Sequence, residues 1–370
     1  MKTLDTMKFI YNFAHEPRNV GLLKEIELAA CKLYKKLGYL NINELNISDY
    51  NKRYLGEKLR NLVSVLELYS HILFLSIVKT KIPRRDFVFM DYGGGTGILS
   101  LLAKELRIGT VVYNDIYDVS CKDAKVIGTH IGNTADFYVQ GDIEEVIDFI
   151  KKKNINCSAI ASYDVIEHIY DVTTFFKRIP LLSNNGLTIV MASGANIFNP
   201  KIRKLEIKRQ IEVEHFDRQK KWGDKERDCR ESYLKVRKEI IVKYISECEK
   251  NLSEKEINKL AKRTRGKIKE DILKCVEVYL KEEVYPLEPK HLTNTCDPYT
   301  GNWVEHLFNP CILKKILVNK GFTTKILNGY YGSYTNPIKK IIANFMNLAI
   351  QFLGKQGINL APYYIIYAKK

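Results

Sequence analysis

The sequence contains no Cys-x-x-Cys pair. Its eight cysteines are scattered from Cys31 to Cys311, a spacing that indicates neither a zinc site nor a disulfide framework. A reducing cytoplasm is the expected compartment. Long apolar runs are missing as well. The longest near the amino end, residues 65–78, is interrupted by Glu67, Tyr69, Ser70 and His71, and is too short and too polar to span a bilayer. The opening residues, with Lys2, Asp5 and only short apolar runs, do not read as a secretory signal. Acidic side chains are in deficit, 43 against 59 Lys and Arg, for a net charge of +16. Such a balance points to an anionic substrate, nucleic acid or an acidic membrane surface; solvated lysines from a lysine-rich proteome give the same balance with no partner. No RNA-binding module is recognisable, and the basic residues show little aromatic interleaving.

What is present is enough for a full core, since 370 residues with 45% hydrophobic content are globular values. The chain is organised around residues 87–97. Phe87, Val88, Phe89 and Met90 are apolar and unbroken, as in a strand buried on both faces. Asp91 follows, then a glycine cluster, then an amphipathic helix from Ile98. A strand, glycine turn and helix let a ligand approach the backbone closely, although the same pattern also makes an ordinary strand-to-helix turn. A second strand, residues 110–113, ends at Asn114-Asp115. An acid about twenty positions beyond the turn suits two ribose hydroxyls.

The run Asp91-x-Gly93-x-Gly95-x-Gly97 resembles the first motif of class I S-adenosylmethionine (SAM) methyltransferases. It departs from the dinucleotide pattern Gly-x-Gly-x-x-Gly, whose third glycine falls here on Ile98 or Ser100, and no lysine follows as in a phosphate-gripping loop. The resemblance implies an α/β, Rossmann-like seven-stranded sheet with the last strand antiparallel. It also implies that Asp91, Gly93, Gly94, Gly95, Asp115, Ile116, Gly141, Asp142, Ile143 and Asp164 bind SAM. For Asp142 the other reading is a cap on the helix beginning at Ile143. A second similarity is Asp164-x-x-Glu167-His168 after the fourth strand (residues 158–163).

The expected organisation has four parts: a helical cap over 1–85, a SAM-binding core over 86–200, a charged helical insertion over 201–290, and residues 291–370 completing the sheet. In the cap, helices are expected at 22–37 and 57–80, the second stopped by Pro83. In the core, a third strand at 137–140 and a fifth at 187–191 complete the parallel set, with helices between. The insertion reads as helices at 202–213, 228–248 and 253–281, the last with a capping box from Ser253 and Glu256. It serves either the substrate or an oligomer contact. A helix at 311–319 and strands at 322–327 and 362–369 close the chain. Residues 337–354 form an amphipathic helix, which is expected to pack on the domain; the alternative is a membrane interface.

Methyl transfer from SAM needs proximity and orientation, and a hydroxyl acceptor also needs a base or a metal. Two versions of the site are consistent with the residues. In one, His168 or Glu167 is the base. In the other, the resemblance to small-RNA and quinone-pathway O-methyltransferases implies a divalent ion held by Asp164, Glu167, His168 and His306. The polar and aromatic stretch 291–303 is expected to face a carbohydrate, the alternative being a plain Asp-Pro-Tyr-Thr-Gly turn. The leading functional expectation is O-methylation of a sugar in a surface glycan or its phosphorylated or lipid-linked precursor, in the cytoplasm or peripheral at the inner membrane face. RNA 2′-O-methylation and non-catalytic SAM binding are the alternatives.

Overall fold

A computed structural model describes residues 19–184, 186–217, 230–334 and 336–370. The opening residues and the start of the helix expected at 228 lie outside the described residues. The described chain falls into two compact units. The first runs to Ile166 and resumes at Val172–Asn199 and Asn309–Lys370, and the second joins Glu167–Asp171 to Pro200–Phe308. The stretch 291–308 thus groups with the inserted helices.

The first unit begins with α1 (Val20–Gly38), α2 (Asp49–Arg60) and α3 (Leu62–Ile77). Ser48 caps α2 by accepting the Asn51 N–H. The long helix expected at 57–80 is instead split. Asn61 leaves helical geometry at φ −114°, ψ 25°, and α3 ends at Ile77, ahead of Pro83. Propensity pattern alone does not reveal such a break, because apolar spacing continues across it. Leu23, Ile26 and Leu33 of α1 and Leu66, Ile72, Leu73 and Phe74 of α3 are buried in the main core.

The sheet follows as β1 (Val88–Tyr92), α4 (Ile98–Glu105), β2 (Thr110–Asp115), α5 (Asp118–Ile131), β3 (Phe137–Gln140), α6 (Ile143–Lys153), β4 (Ala159–Tyr163), α7 (Val172–Arg178) and β5 (Thr188–Ser193). The helix at 172–178 gives way to a tighter turn over 179–182, where Pro180 cannot continue an α-helical ladder. After the second unit come α12 (Pro310–Asn319), β6 (Thr323–Asn328), α13 (Pro337–Phe352) and β7 (Tyr364–Lys369). The strand order is β3-β2-β1-β4-β5-β7-β6. Strands β1 to β5 pair in parallel, and β7 runs antiparallel to both β5 and β6. This is the seven-stranded arrangement implied by the resemblance.

In the second unit lie α8 (Pro200–His215), α9 (Tyr233–Glu247), α10 (Glu254–Arg263) and α11 (Lys269–Glu282). Ile240, Ile241, Leu260, Ile272 and Val276 form its own buried core. The single helix expected at 253–281 is two, because the chain turns at Gly266 with φ +78°, a conformation that side-chain-bearing residues rarely adopt. The Ser253–Glu256 capping box is present. Arg237 is fully buried, with its guanidinium on the carboxylate of Glu214 and on the carbonyl of Ala261. A buried charge persists where it is paired and hydrogen-bonded in this way.

Candidate functional site

Because β1 to β4 are parallel, their carboxyl ends line one edge of the sheet, and the order reverses between β1 and β4. Ligands of open α/β sheets bind at that switch point. At the end of β1 the chain turns through Gly93, Gly95 and Gly97, at φ +68°, +54° and +76°. A Cβ on Gly93 would lie 2.5 Å from the Val165 side chain, and one on Gly94 would lie 2.6 Å from Tyr113. Positions 93 and 94 therefore admit no side chain. The turn is tied down by the Tyr113 hydroxyl, which donates to the Gly95 carbonyl at 2.6 Å.

Four carboxylates stand at these strand ends. Asp91 is buried, and its Oδ2 accepts from both the N–H and the hydroxyl of Ser100, at 3.0 and 2.7 Å. Asp115 is 7% exposed; one oxygen accepts from the Gly95 N–H at 3.1 Å, the other from the Tyr117 N–H at 3.0 Å. Asp142 caps α6 in a full capping box with Glu145, the structural role weighed for it above. Asp164, at φ +53°, accepts the Gly194 N–H at 2.8 Å. Such a φ is uncommon outside glycine and clusters at functional sites. Ile116 leaves an apolar side chain partly exposed at this edge, whereas Ile143 is buried under α6.

Burial pushes Asp91 up to about 6, against the Ser100 hydrogen bonds and with Asp115 adding to the rise. From about pH 4 to 6 the folded chain then keeps a proton that the unfolded chain has lost. Stability from this group therefore declines as pH rises through that window, by about 3 kcal/mol in all. Asp91→Asn carries no charge to bury. It is expected to melt near wild type at pH 4 and well above it at pH 7; parallel pH dependences of the two melting curves would contradict this.

Lys58 stands in no motif of the sequence. Its ammonium lies 5.1 Å from the ring centre of Tyr54, 5.7 Å from that of Tyr69 and 5.4 Å from that of Tyr163. Burial opposes its charge, but Tyr69, Tyr54 and Asp164 outweigh that and hold the ammonium above the usual lysine range. Tyr54 also packs over the glycine turn, 3.1 Å from where a Gly95 Cβ would be. The start of α2 is pinned by Asp123, which accepts from Ser48 and Asn51. The helical cap thus reaches the turn through Tyr54. Spacing on α2 holds no signal for this, because the tyrosines of the cage come from three separate elements.

Within the second unit, the residues after β4 pair with the stretch 303–306. The Trp303 N–H donates to the His168 carbonyl at 3.1 Å, and the His306 N–H to the Glu167 carbonyl at 3.0 Å. Glu167, His168 and His306, distant in sequence, are thereby brought together. His168 Nδ1 bonds the Trp303 carbonyl at 2.8 Å. A carbonyl only accepts, so Nδ1 carries the proton and the neutral ring presents its lone pair at Nε2. Glu305 stands 3.8 Å from that nitrogen and 3.1 Å from Arg209. Glu305 has φ +51°, a second strained position and one that no sequence pattern flags.

Among the described residues, no group of three or more His, Cys, Asp or Glu is placed to hold a metal ion. The expected set of Asp164, Glu167, His168 and His306 is therefore not assembled as a metal centre. Both imidazoles instead spend Nδ1 on backbone carbonyls, His306 on that of Thr293 at 2.6 Å. In the stretch expected to face a carbohydrate, Tyr299 is exposed and Asn294 and Asn302 are half-buried. Thr295, Asp297 and Trp303 are buried; Asp297 accepts from Tyr299 and Thr300 in the turn, and the Trp303 ring stacks on Tyr170 and donates to its carbonyl.

The His306 ring stacks with His291, Trp303 and Phe308. Burial first, and His291 second, push it down to about 4, although the Thr293 bond opposes this. As pH falls from about 6.5 to 4, the unfolded chain takes up a proton that the folded chain refuses, so stability is lost across that window, by about 3 kcal/mol. His306→Phe is expected to flatten this acid loss in thermal melts. An unchanged acid limb would refute it.

No family model matches the chain, and no curated protein does. Among solved structures it is similar to SMU.776, reported as a methyltransferase in complex with S-adenosylhomocysteine. That match has 9% identity and TM-score 0.30, over 40% of this chain and 39% of that chain, well under half of either. It is also similar to the plantazolicin methyltransferase BpumL, solved with a triazolic desmethylPZN analog and S-adenosylhomocysteine, at 10% identity and TM-score 0.36 over 94% of this chain and 98% of that one. A SAM-dependent methyltransferase from Mesorhizobium loti is 12% identical, with TM-score 0.36 over 78% and 94%.

Proposed function

We propose that this chain is a SAM-dependent methyltransferase acting on a hydroxyl of a sugar, in a surface glycan or its phosphorylated or lipid-linked precursor. One observation carries the reading. A glycine turn closed to side chains at positions 93 and 94 is bordered by the carboxylates Asp91 and Asp115, with Asp142 and Asp164 on the neighbouring strand ends. Such an edge repels a pyrophosphate and suits a nucleoside that carries cationic groups and no phosphate. Asp115, held at the end of β2 by the Gly95 and Tyr117 N–H groups, is the proposed acceptor for the ribose hydroxyls. Ile116 supplies an apolar neighbour for a base, and the charged Lys58 is placed to take an anionic group.

When bound, SAM supplies an activated methyl on a sulfonium. The chain's part is to hold the donor, orient the acceptor and receive its proton. His168 is the proposed proton acceptor. It follows Asp164 by four residues in the chain, its tautomer leaves Nε2 ready to accept, and Glu305 can stabilise the imidazolium that results. Glu167 and His306 hold its backbone in place. The net charge of +16 supports an anionic acceptor, with the basic insertion meeting its phosphate.

The test is to incubate the purified chain with methyl-labelled SAM and fractionated cell extract. Label in a glycan or lipid-linked sugar fraction supports the reading. Label in RNA would replace the acceptor with a nucleic acid, and uptake of SAM with no transfer to any fraction would reduce the chain to a SAM-binding protein.

A further inference from the structure

The helix α13 is built the opposite way round from a packed amphipathic helix. Its buried positions are Ala343, Asn347 and Ile350, and Asn347 is clamped to the backbone of Tyr331 through both its oxygen and its nitrogen. At 100° per residue, Ile338, Ile341, Ile342, Phe345, Leu348 and Phe352 fall on the opposite side. All six are exposed, Phe345 by 69% and Phe352 by 92%. The expectation that the apolar residues of this helix pack on the domain holds for Ile350 and is overturned for these six. Burial of the helix rests on Ala343, Asn347 and Ile350 instead.

We infer that α13 is an in-plane anchor for an anionic lipid surface. Charge selects this occupant. From His306 to Lys370 the sequence has nine lysines, no arginine and no acidic residue. Lys339 and Lys340 lie on α13 beside the apolar side, and Lys355 follows its end; all three are exposed. An apolar face of Ile, Leu and Phe flanked by lysines sinks to the acyl boundary and keeps its ammonium groups at the headgroups. No helix among the described residues is long and apolar enough to cross a membrane, so the helix would lie on the surface. The spacing 338, 341, 345, 348, 352 also suits a helix from a second copy. That pairing would bring two acid-free, lysine-bearing segments together with no opposite charge of their own to offset them, which disfavours it. The inference is independent of the reaction proposed above.

The experiment is flotation of the full chain with vesicles of phosphatidylcholine alone and of equal parts phosphatidylcholine and phosphatidylglycerol, at low and high salt. The chain is expected to float with the anionic vesicles, less so in high salt, and to stay behind with the neutral ones. The double variant Phe345→Asp/Phe352→Asp is expected to lose about tenfold or more of that partition. Its melting temperature should be unchanged, because both side chains are exposed. Lys339→Glu/Lys340→Glu should abolish the preference for anionic lipid. A wild-type chain that fails to float, or a double-Asp variant that floats as well as wild type, overturns the inference. So does a wild-type dimer that the double-Asp variant splits, which would assign the face to a second copy.

Discussion

Replacing His168 by Ala is expected to slow methyl transfer by roughly a hundred- to ten-thousand-fold while SAM uptake is unchanged. The reason lies in its two ring nitrogens. Nδ1 is committed to the Trp303 carbonyl, so the neutral ring offers Nε2, beside the carboxylate of Glu305. Taking a proton there leaves a cation next to an anion that Arg209 already holds in place. Single-turnover transfer from labelled SAM to whichever acceptor fraction takes up label measures the effect. Glu305→Gln keeps the shape and removes the charge, so it should lower turnover while sparing SAM uptake. Full turnover by the His168 variant would end its assignment as base without touching the donor site, because the donor residues belong to other strand ends.

Asp115→Ala should weaken SAM uptake roughly a hundredfold or more in calorimetry. Two hydrogen bonds to a charged acceptor are lost, each worth about 1.5–3 kcal/mol. The Gly95 and Tyr117 N–H groups that this carboxylate now receives lose their partner as well. Asp115→Asn keeps an acceptor oxygen and is expected to fall between the two. Melting curves of both variants would show whether the turn stays folded. If the Ala variant took up SAM as well as wild type, the ribose assignment and the functional reading built on it would both fail.

Much of the frame was legible from residue order. Buried parallel strands announce themselves as short apolar runs, and β3 was read with its observed ends because Phe137–Gln140 is bounded by Asp136 and Gly141. The Ser253 cap was legible too, since it acts within three residues of itself. Helix breaks were not. Asn61 and Gly266 interrupt patterns whose apolar spacing runs straight on, and only the geometry of the neighbours shows that the chain turns there.

The sequence by itself determined the α/β class, the glycine turn after β1 and the acids at the strand ends, because each of these is local: a few adjacent residues with a fixed backbone requirement. Tertiary structure alone decided the rest. It gathered Tyr54, Tyr69 and Tyr163 from separate elements around Lys58. It tied Asp297 into the turn at Tyr299, and it set Glu305 against His168 across more than a hundred residues of chain. It also turned the apolar side of α13 outward. Hydrophobic periodicity reports that a helix has two sides; which side is buried depends on partners that approach from elsewhere in the fold, and here Asn347 is the residue held by one.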